Sequence, residues 1–174
     1  EVKSNSDVLK FNSWDAMTQK NNPQWADYNE LNLQKKILQS ISCNILLHSE
    51  YLRFGFKLRD NSARLFGDSG IVSNDNSFLI HISKALNDDK IYATYYNGLK
   101  GTGSDELIGQ YKKGEEINLK LVMEENNRIK FVVNKKLVYE TIIDKSIREN
   151  LSLMAWGDRN EYRMTVKDIE VMVK

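Results

Sequence analysis

The residues best suited to recognition chemistry in this chain are aromatic. Tyr92 and Tyr96 flank Thr94 within the alternating stretch Ile91 to Tyr96. Side chains two apart share one face of a strand, so both rings and the Thr94 hydroxyl face the same way. Trp156 alternates away from Leu153 and Ala155 and leads into the polar run Asp158-Arg159-Asn160, with Tyr162 close behind. Aromatic rings pack against apolar C–H groups while Asn, Asp and Arg side chains hydrogen-bond hydroxyls, a combination that suits a sugar. Arg53, Lys57 and His81 alternate away from apolar neighbours in two further stretches. The alternation predicts that Arg53, Lys57, His81, Tyr92, Tyr96 and Trp156 line one concave sheet face, with Asp158, Arg159 and Asn160 in an adjoining loop. The competing reading is that these rings close the second side of the core, with the tyrosine hydroxyls reaching water.

Catalytic and metal chemistry find less support. A retaining glycoside hydrolase needs two carboxyl groups about 5–5.5 Å apart. Asp168-Ile169-Glu170 puts two acids on one strand face, and a solvated outer face accounts for them. Glu115-Glu116 and Glu124-Glu125 flank hairpin strands, where acids meet water. Cys43 lies in an apolar-polar stretch and reads as a buried structural thiol. His48 and His81 have no metal-ligand spacing to each other or to Cys43, and there is no Gly-x-Ser-x-Gly turn for a nucleophile. Gly98-Leu99-Lys100-Gly101-Thr102-Gly103 lacks the Gly-Lys-Ser/Thr ending of a phosphate loop, which leaves it as a flexible loop. Oxygen-rich segments at Asp68-Ser69, Asn74-Asp75-Asn76, Asn87-Asp88-Asp89 and 157–161 are explained by turn chemistry, with calcium the alternative. The expectation is a noncatalytic chain without a cofactor.

The elements that must position these residues are strands. Leu52, Phe54, Phe56 and Leu58 alternate with Tyr51, Arg53, Gly55 and Lys57, the pattern of a half-buried strand with one wet face. Phe78, Ile80 and Ile82 repeat it, as do Ile91, Ala93 and Tyr95, then Ile117, Leu119 and Leu121, then Ile129, Phe131 and Val133 with Leu137 and Tyr139, then Leu151, Leu153 and Ala155, and a last strand near Arg163 to Val173. Asn126-Asn127, Asn134-Lys135-Lys136 and Asn97-Gly98 supply turns between them. Many strands at short spacing predict an all-β, antiparallel two-sheet sandwich. One or two short helices are expected, at Glu30 to Lys36 and Asp144 to Glu149. The aromatic-dotted stretch from Phe11 to Tyr28 reads as irregular structure with short strands, after a frayed start from Glu1 to Asp7.

The run Glu115 to Met123, the hairpin Asn126-Asn127, then Ile129 to Asn134, Leu137 to Tyr139 and Leu151 to Gly157 resembles the concanavalin A-like lectin/glucanase superfamily, and within it the laminin-G-like jelly rolls. Lys135 stands where those proteins usually end a hairpin in Val-Asn-Gly. The resemblance covers the chain from about Asn44 to Lys174. It implies two packed, curved antiparallel sheets and, for most members, carbohydrate binding or cleavage.

The chain has 174 residues, 41% of them apolar, with 25 Lys plus Arg against 24 Asp plus Glu. The size suits one domain over 1–174, and the start at Glu1 reads as an excised piece of a longer chain. A net charge of +1 gives no general pull toward nucleic acid, and Lys112-Lys113 and Lys135-Lys136 are balanced by nearby glutamates. No apolar run reaches the roughly 20 residues of a membrane span. One cysteine leans toward a cytoplasmic compartment, and an exported bacterial protein without disulfides fits as well. The expected function is carbohydrate recognition. A protein-interaction or sensory module is the alternative, and a glycoside hydrolase the second alternative.

Overall fold

Alternation alone commits the apolar residues to one side of each strand, and burying those sides requires two sheets face to face. The computed structural model describes residues 6–18, 26–63, 76–98, 101–102, 105–143, 147–157 and 161–174. Its elements are β1 (Asp7–Phe11), β2 (Trp14–Met17), β3 (Ala26–Leu31), β4 (Leu38–Leu47), β5 (Leu52–Arg59), β6 (Ser77–Lys84), β7 (Lys90–Asn97), β8 (Gly101–Thr102), β9 (Glu106–Gln110), β10 (Glu116–Met123), β11 (Arg128–Val133), β12 (Lys136–Ile142), β13 (Asn150–Trp156) and β14 (Arg163–Val173). The first sheet runs β1-β14-β4-β10-β11-β12, with β2 also on β14. The second runs β3-β13-β5-β6-β7-β8, with β9 also on β7. The described pairings are antiparallel.

The core lies between the sheets. Ile41, Cys43, Ile45 and Leu47 of β4 meet Phe54, Phe56 and Leu58 of β5 and Phe131 of β11 in one buried cluster. Phe56 and Phe131 touch across the sandwich edge to face, centroids 6.3 Å apart. Each such ring stabilises the fold by roughly 1.5–3 kcal/mol on burial. Tyr139 crosses from the first sheet to the second, packing edge-on against Tyr95 at 5.2 Å and donating its hydroxyl to the Ala93 carbonyl at 2.9 Å. Tyr162 is buried here too, with its hydroxyl on the Ala155 carbonyl at 2.8 Å. Cys43 is buried on the inner face of β4, and that burial pushes its thiol pKa far up, as expected of a structural cysteine.

Four sequence expectations need correction. Among the described residues there is no helix. Leu31 and Leu33 are both buried two residues apart, a strand spacing, and the chain then reverses through Gln34 (φ 55°) and Lys35 (φ 60°) with the Lys36 N–H on the Leu33 carbonyl. At Asp144 to Glu149, residues 144–146 lie outside the described set, and 147–149 are irregular, with Ile147 and Arg148 both buried. Leu137 does not share the inner face with Tyr139. The register shifts between Phe131 and Val132, so Phe131 faces Tyr139 but Val132 faces Leu137, and a one-residue bulge moves Leu137 to the outer side. The short strands expected between Phe11 and Tyr28 are there as β2 and the start of β3, and it is the frayed end at Asp7 that needs correcting. Asp7 already pairs with Val173, and β1 and β2 follow each other along β14.

Candidate functional site

The register of the second sheet decides which side chains gather on its outer face. Arg53 pairs with Ser83, which pairs with Tyr92. Gly55 pairs with His81, which pairs with Thr94, and Met154 lies on the other side of Gly55. Lys57 pairs with Leu79, which pairs with Tyr96, and Ser152 lies on the other side of Lys57. Trp156 follows one step beyond the Ala155–Phe54 pair, at the Arg53 end of β13. The six residues expected on one face, Arg53, Lys57, His81, Tyr92, Tyr96 and Trp156, therefore do share it.

At the centre is an aromatic group. The His81 and Tyr96 rings stack at 5.6 Å with 11° between their planes. Trp156 meets His81 edge to face at 4.8 Å. His81 and Trp156 stand on strands separated by β5, and such a contact needs an empty position between them. Gly55 provides it, since a Cβ there would lie 2.6 Å from the His81 Cβ and 2.4 Å from the Ile80 carbonyl oxygen. Leu79, Met154, Ala26 and Trp156 form a small buried cluster separate from the main core, with Tyr96 packed against it. The rings thus neither close the sandwich core nor stand free in water.

The face is less wet than alternation predicts. Lys57 and Ser152 are fully buried, His81 is 4% exposed, and Tyr92 and Tyr96 are half-buried. Neither ring nitrogen of His81, nor the Ser152 hydroxyl, has a hydrogen-bond partner. Burial lowers the His81 pKa from 6.5 to about 4, with a backbone contact at Ile82 opposing and the Arg53 guanidinium adding to the drop. The imidazole is neutral at neutral pH, offering one donor and one acceptor. Strands β5, β6, β7 and β13 contain no aspartate or glutamate. From β3, Glu30 pairs with Arg59.

Asp158, Arg159 and Asn160 lie outside the described residues, as do Trp25 and Pro23. Tyr28, which alternation did not place, faces Met154 across β3 and β13 and is 45% exposed. Its signal was the spacing Ala26-Tyr28-Glu30, too short to read as a strand. The acids of β14 lie in the other sheet. Asp168 sits in a bulge at φ 52° and accepts from the Asn44 amide at 2.8 Å, while Glu170 pairs with Lys10, both exposed as expected. His48 belongs to a structural chain: the Thr165 hydroxyl donates to Asp15 (2.6 Å), and its single hydrogen being used, it accepts from His48 Nε2 (2.7 Å). No three His, Cys, Asp or Glu side chains gather to hold a metal among the described residues. No helix there is long and apolar enough to cross a membrane.

No family model matches the chain, and no curated protein is significantly similar to it in sequence. Solved structures match in fold. A functionally unknown protein from Saccharomyces cerevisiae is 12% identical with a TM-score of 0.60, over 97% of this chain and 88% of that one. The catalytic domain of an endo-1,3-beta-glucanase (laminarinase) from Thermotoga petrophila RKU-1 is 10% identical with a TM-score of 0.55, over 93% and 76%. The carbohydrate binding module CBM66 from Bacillus subtilis is 11% identical with a TM-score of 0.51, over 94% of each chain. The fold is a concanavalin A-like jelly roll. A catalytic domain and a binding module both share it, so the chemistry must be argued from the site.

Proposed function

We propose that this protein is a noncatalytic carbohydrate-recognition module whose ligand lies against the outer face of the second sheet. The observation that carries the reading is the convergence there of Trp156, Tyr92, Tyr96 and Tyr28 with Arg53 and His81. The partly exposed rings of Tyr28, Tyr92 and Tyr96 supply platforms for the C–H faces of a sugar with Arg53 to read hydroxyls at their edge, while Trp156 and His81, 6% and 4% exposed, back Tyr96 from beneath. Strands β5, β6, β7 and β13 carry no carboxylate and Glu30, which β3 adds to this face beside Tyr28, is paired with Arg59; glycoside hydrolysis needs two carboxyl groups, so this supports binding without cleavage. A carbohydrate binding module and a laminarinase domain of the same fold are consistent with a glycan as the ligand class. Asp158, Arg159 and Asn160, which follow Trp156 after Gly157 in sequence, are proposed as further ligand contacts on the polarity of their side chains alone.

The test is a glycan array probed with the wild-type protein, Trp156→Ala and Tyr92→Ala, with and without calcium. Selective binding that both substitutions abolish, with urea unfolding still cooperative, supports the reading. Binding that survives both substitutions removes the site assignment, and silence across the array removes the glycan. A protein partner is the second reading, favoured by β12, which ends the first sheet among the described residues and leaves Leu137 and Ile142 about half exposed. Concentration-dependent self-association, or capture of a protein partner lost on substituting Leu137 by Lys, would favour it.

A further inference from the structure

One end of the second sheet carries a cavity of about 790 Å³, where the chain leaves β3 and crosses toward β4. Its walls are the end of β3, the 32–37 turn, Asn61 and the start of β13. Along β13 it lies at Asn150, six residues or about 20 Å from Trp156. Its β3 end adjoins the aromatic face, since Glu30 stands two residues from Tyr28, while its β13 end at Asn150 is remote from Trp156.

The walls are held before any ligand arrives. The Gln34 N–H is taken by Asn32 Oδ1 at 2.9 Å, and Ile37 exchanges two backbone hydrogen bonds with Lys174, each 2.9 Å. Glu149 Oε2 accepts from the Asn61 N–H at 2.9 Å, and Asn150 Nδ2 donates to Asn61 Oδ1 at 3.0 Å. These bonds leave the Asn150 carbonyl oxygen, the Asn61 amide nitrogen and the Asn32 amide nitrogen uncommitted among the described residues. The lining charges cancel, Glu30 and Glu149 against Lys35 and Lys36, and two of them are paired outside the cavity, Glu30 with Arg59 and Lys36 with Asp7. Leu31 and Leu33 give an apolar wall.

We infer that this cavity is a second ligand site, and that it takes a neutral, hydroxyl-rich ligand of the size of a short oligosaccharide. Three side-chain amides supply both donors and an acceptor, the match for hydroxyls that donate and accept. Cancelled charge gives no advantage to a carboxylated or sulfated ligand. The volume lies within the range of about 300–1,000 Å³ that suits compact ligands. Among the described residues the lining holds no aromatic ring, so the affinity is modest. The choice of ligand class rests on the carbohydrate-recognition reading, while the cavity's amides, Asn32, Asn61 and Asn150, are none of them residues of the aromatic face.

The side-chain amide and indole signals of the ¹⁵N-labelled protein report both places at once. The probes are a panel of neutral trisaccharides of glucose, galactose, mannose and fructose, with trigalacturonate as the charged control. The expected result is a saturable shift of the Asn61 and Asn32 side-chain amides with at least one neutral member. The shift persists in Trp156→Ala, and its apparent Kd rises about tenfold in Asn61→Ala, as loss of one hydrogen bond of about 1.4 kcal/mol predicts. An unchanged urea midpoint for Asn61→Ala separates loss of contact from loss of fold. Shifts of the Trp156 indole without the amides overturn the second site and leave the aromatic-face reading standing. Shifts of the amides without the indole do the reverse. Silence at both, or a stronger response to trigalacturonate, overturns the inference.

Discussion

His81 is neutral, buried and without a hydrogen-bond partner, so protonating it must oppose folding. Its pKa is lowered from 6.5 to about 4 in the folded protein, while the unfolded chain keeps the ordinary value. Between those values the unfolded state binds more protons than the native state. Stability is therefore complete above the ordinary histidine value and falls as the pH drops toward about 4, flattening below it. The whole shift corresponds to about 3 kcal/mol, of which about 2 kcal/mol is lost by about pH 5. Carboxylates titrate over part of this window, so the comparison must be with a variant that does not titrate at this position. His81→Phe keeps a ring beside Tyr96 and Trp156 and removes two orphaned polar atoms, a change near neutral or stabilising at neutral pH. Urea unfolding of both proteins at about pH 7.5 and about pH 5 should show the variant gaining about 2 kcal/mol on the wild type as the pH falls. A difference that stays constant to within about 0.5 kcal/mol would falsify the burial of a neutral imidazole under these rings.

Other expectations follow from single positions. Gly55→Ala puts a methyl 2.4 Å from the Ile80 carbonyl oxygen and 2.6 Å from the His81 Cβ; it should cost about 2–3 kcal/mol in urea unfolding and displace His81, seen as altered Trp156 fluorescence. Lys135 holds φ 67° in the β11–β12 hairpin, where glycine is at ease. Lys135→Gly should stabilise by about 0.5–1 kcal/mol, relief of left-handed strain outweighing the added freedom of the unfolded chain, and a lower midpoint would refute that balance. Cys43 should resist a thiol reagent in the native protein and react fully in denaturant, a fast native reaction being the contrary result. Cys43→Ser should cost about 1–3 kcal/mol, because a buried hydroxyl there needs a partner.

Much of the fold can be read from residues two apart. The faces of β5, β6, β7, β10, β11 and β13 follow from apolar alternation, because a side chain in a strand has only two directions. The same logic put Arg53, His81, Tyr92, Tyr96 and Trp156 on one outer face, and the pairings of β13, β5, β6 and β7 agree. Alternation fails where the backbone breaks its period. The bulge beside Phe131 turns Leu137 outward, and the reversal at Gln34 and Lys35 replaces an expected helix. It also cannot place β3, whose short spacing around Tyr28 becomes a strand only because β13 pairs with it.

By itself, then, the sequence determined the strands with clear apolar alternation, their two-sidedness and the residue types available for recognition, because those depend on neighbours along the chain. Tertiary structure decided the rest. It placed Gly55 between His81 and Trp156 so that their rings could meet across β5, and buried Lys57, His81 and Ser152 on a face that alternation reads as wet. It also opened a cavity between the end of β3 and the start of β13. Each of these depends on the register and packing of strands distant in sequence, which no local pattern encodes.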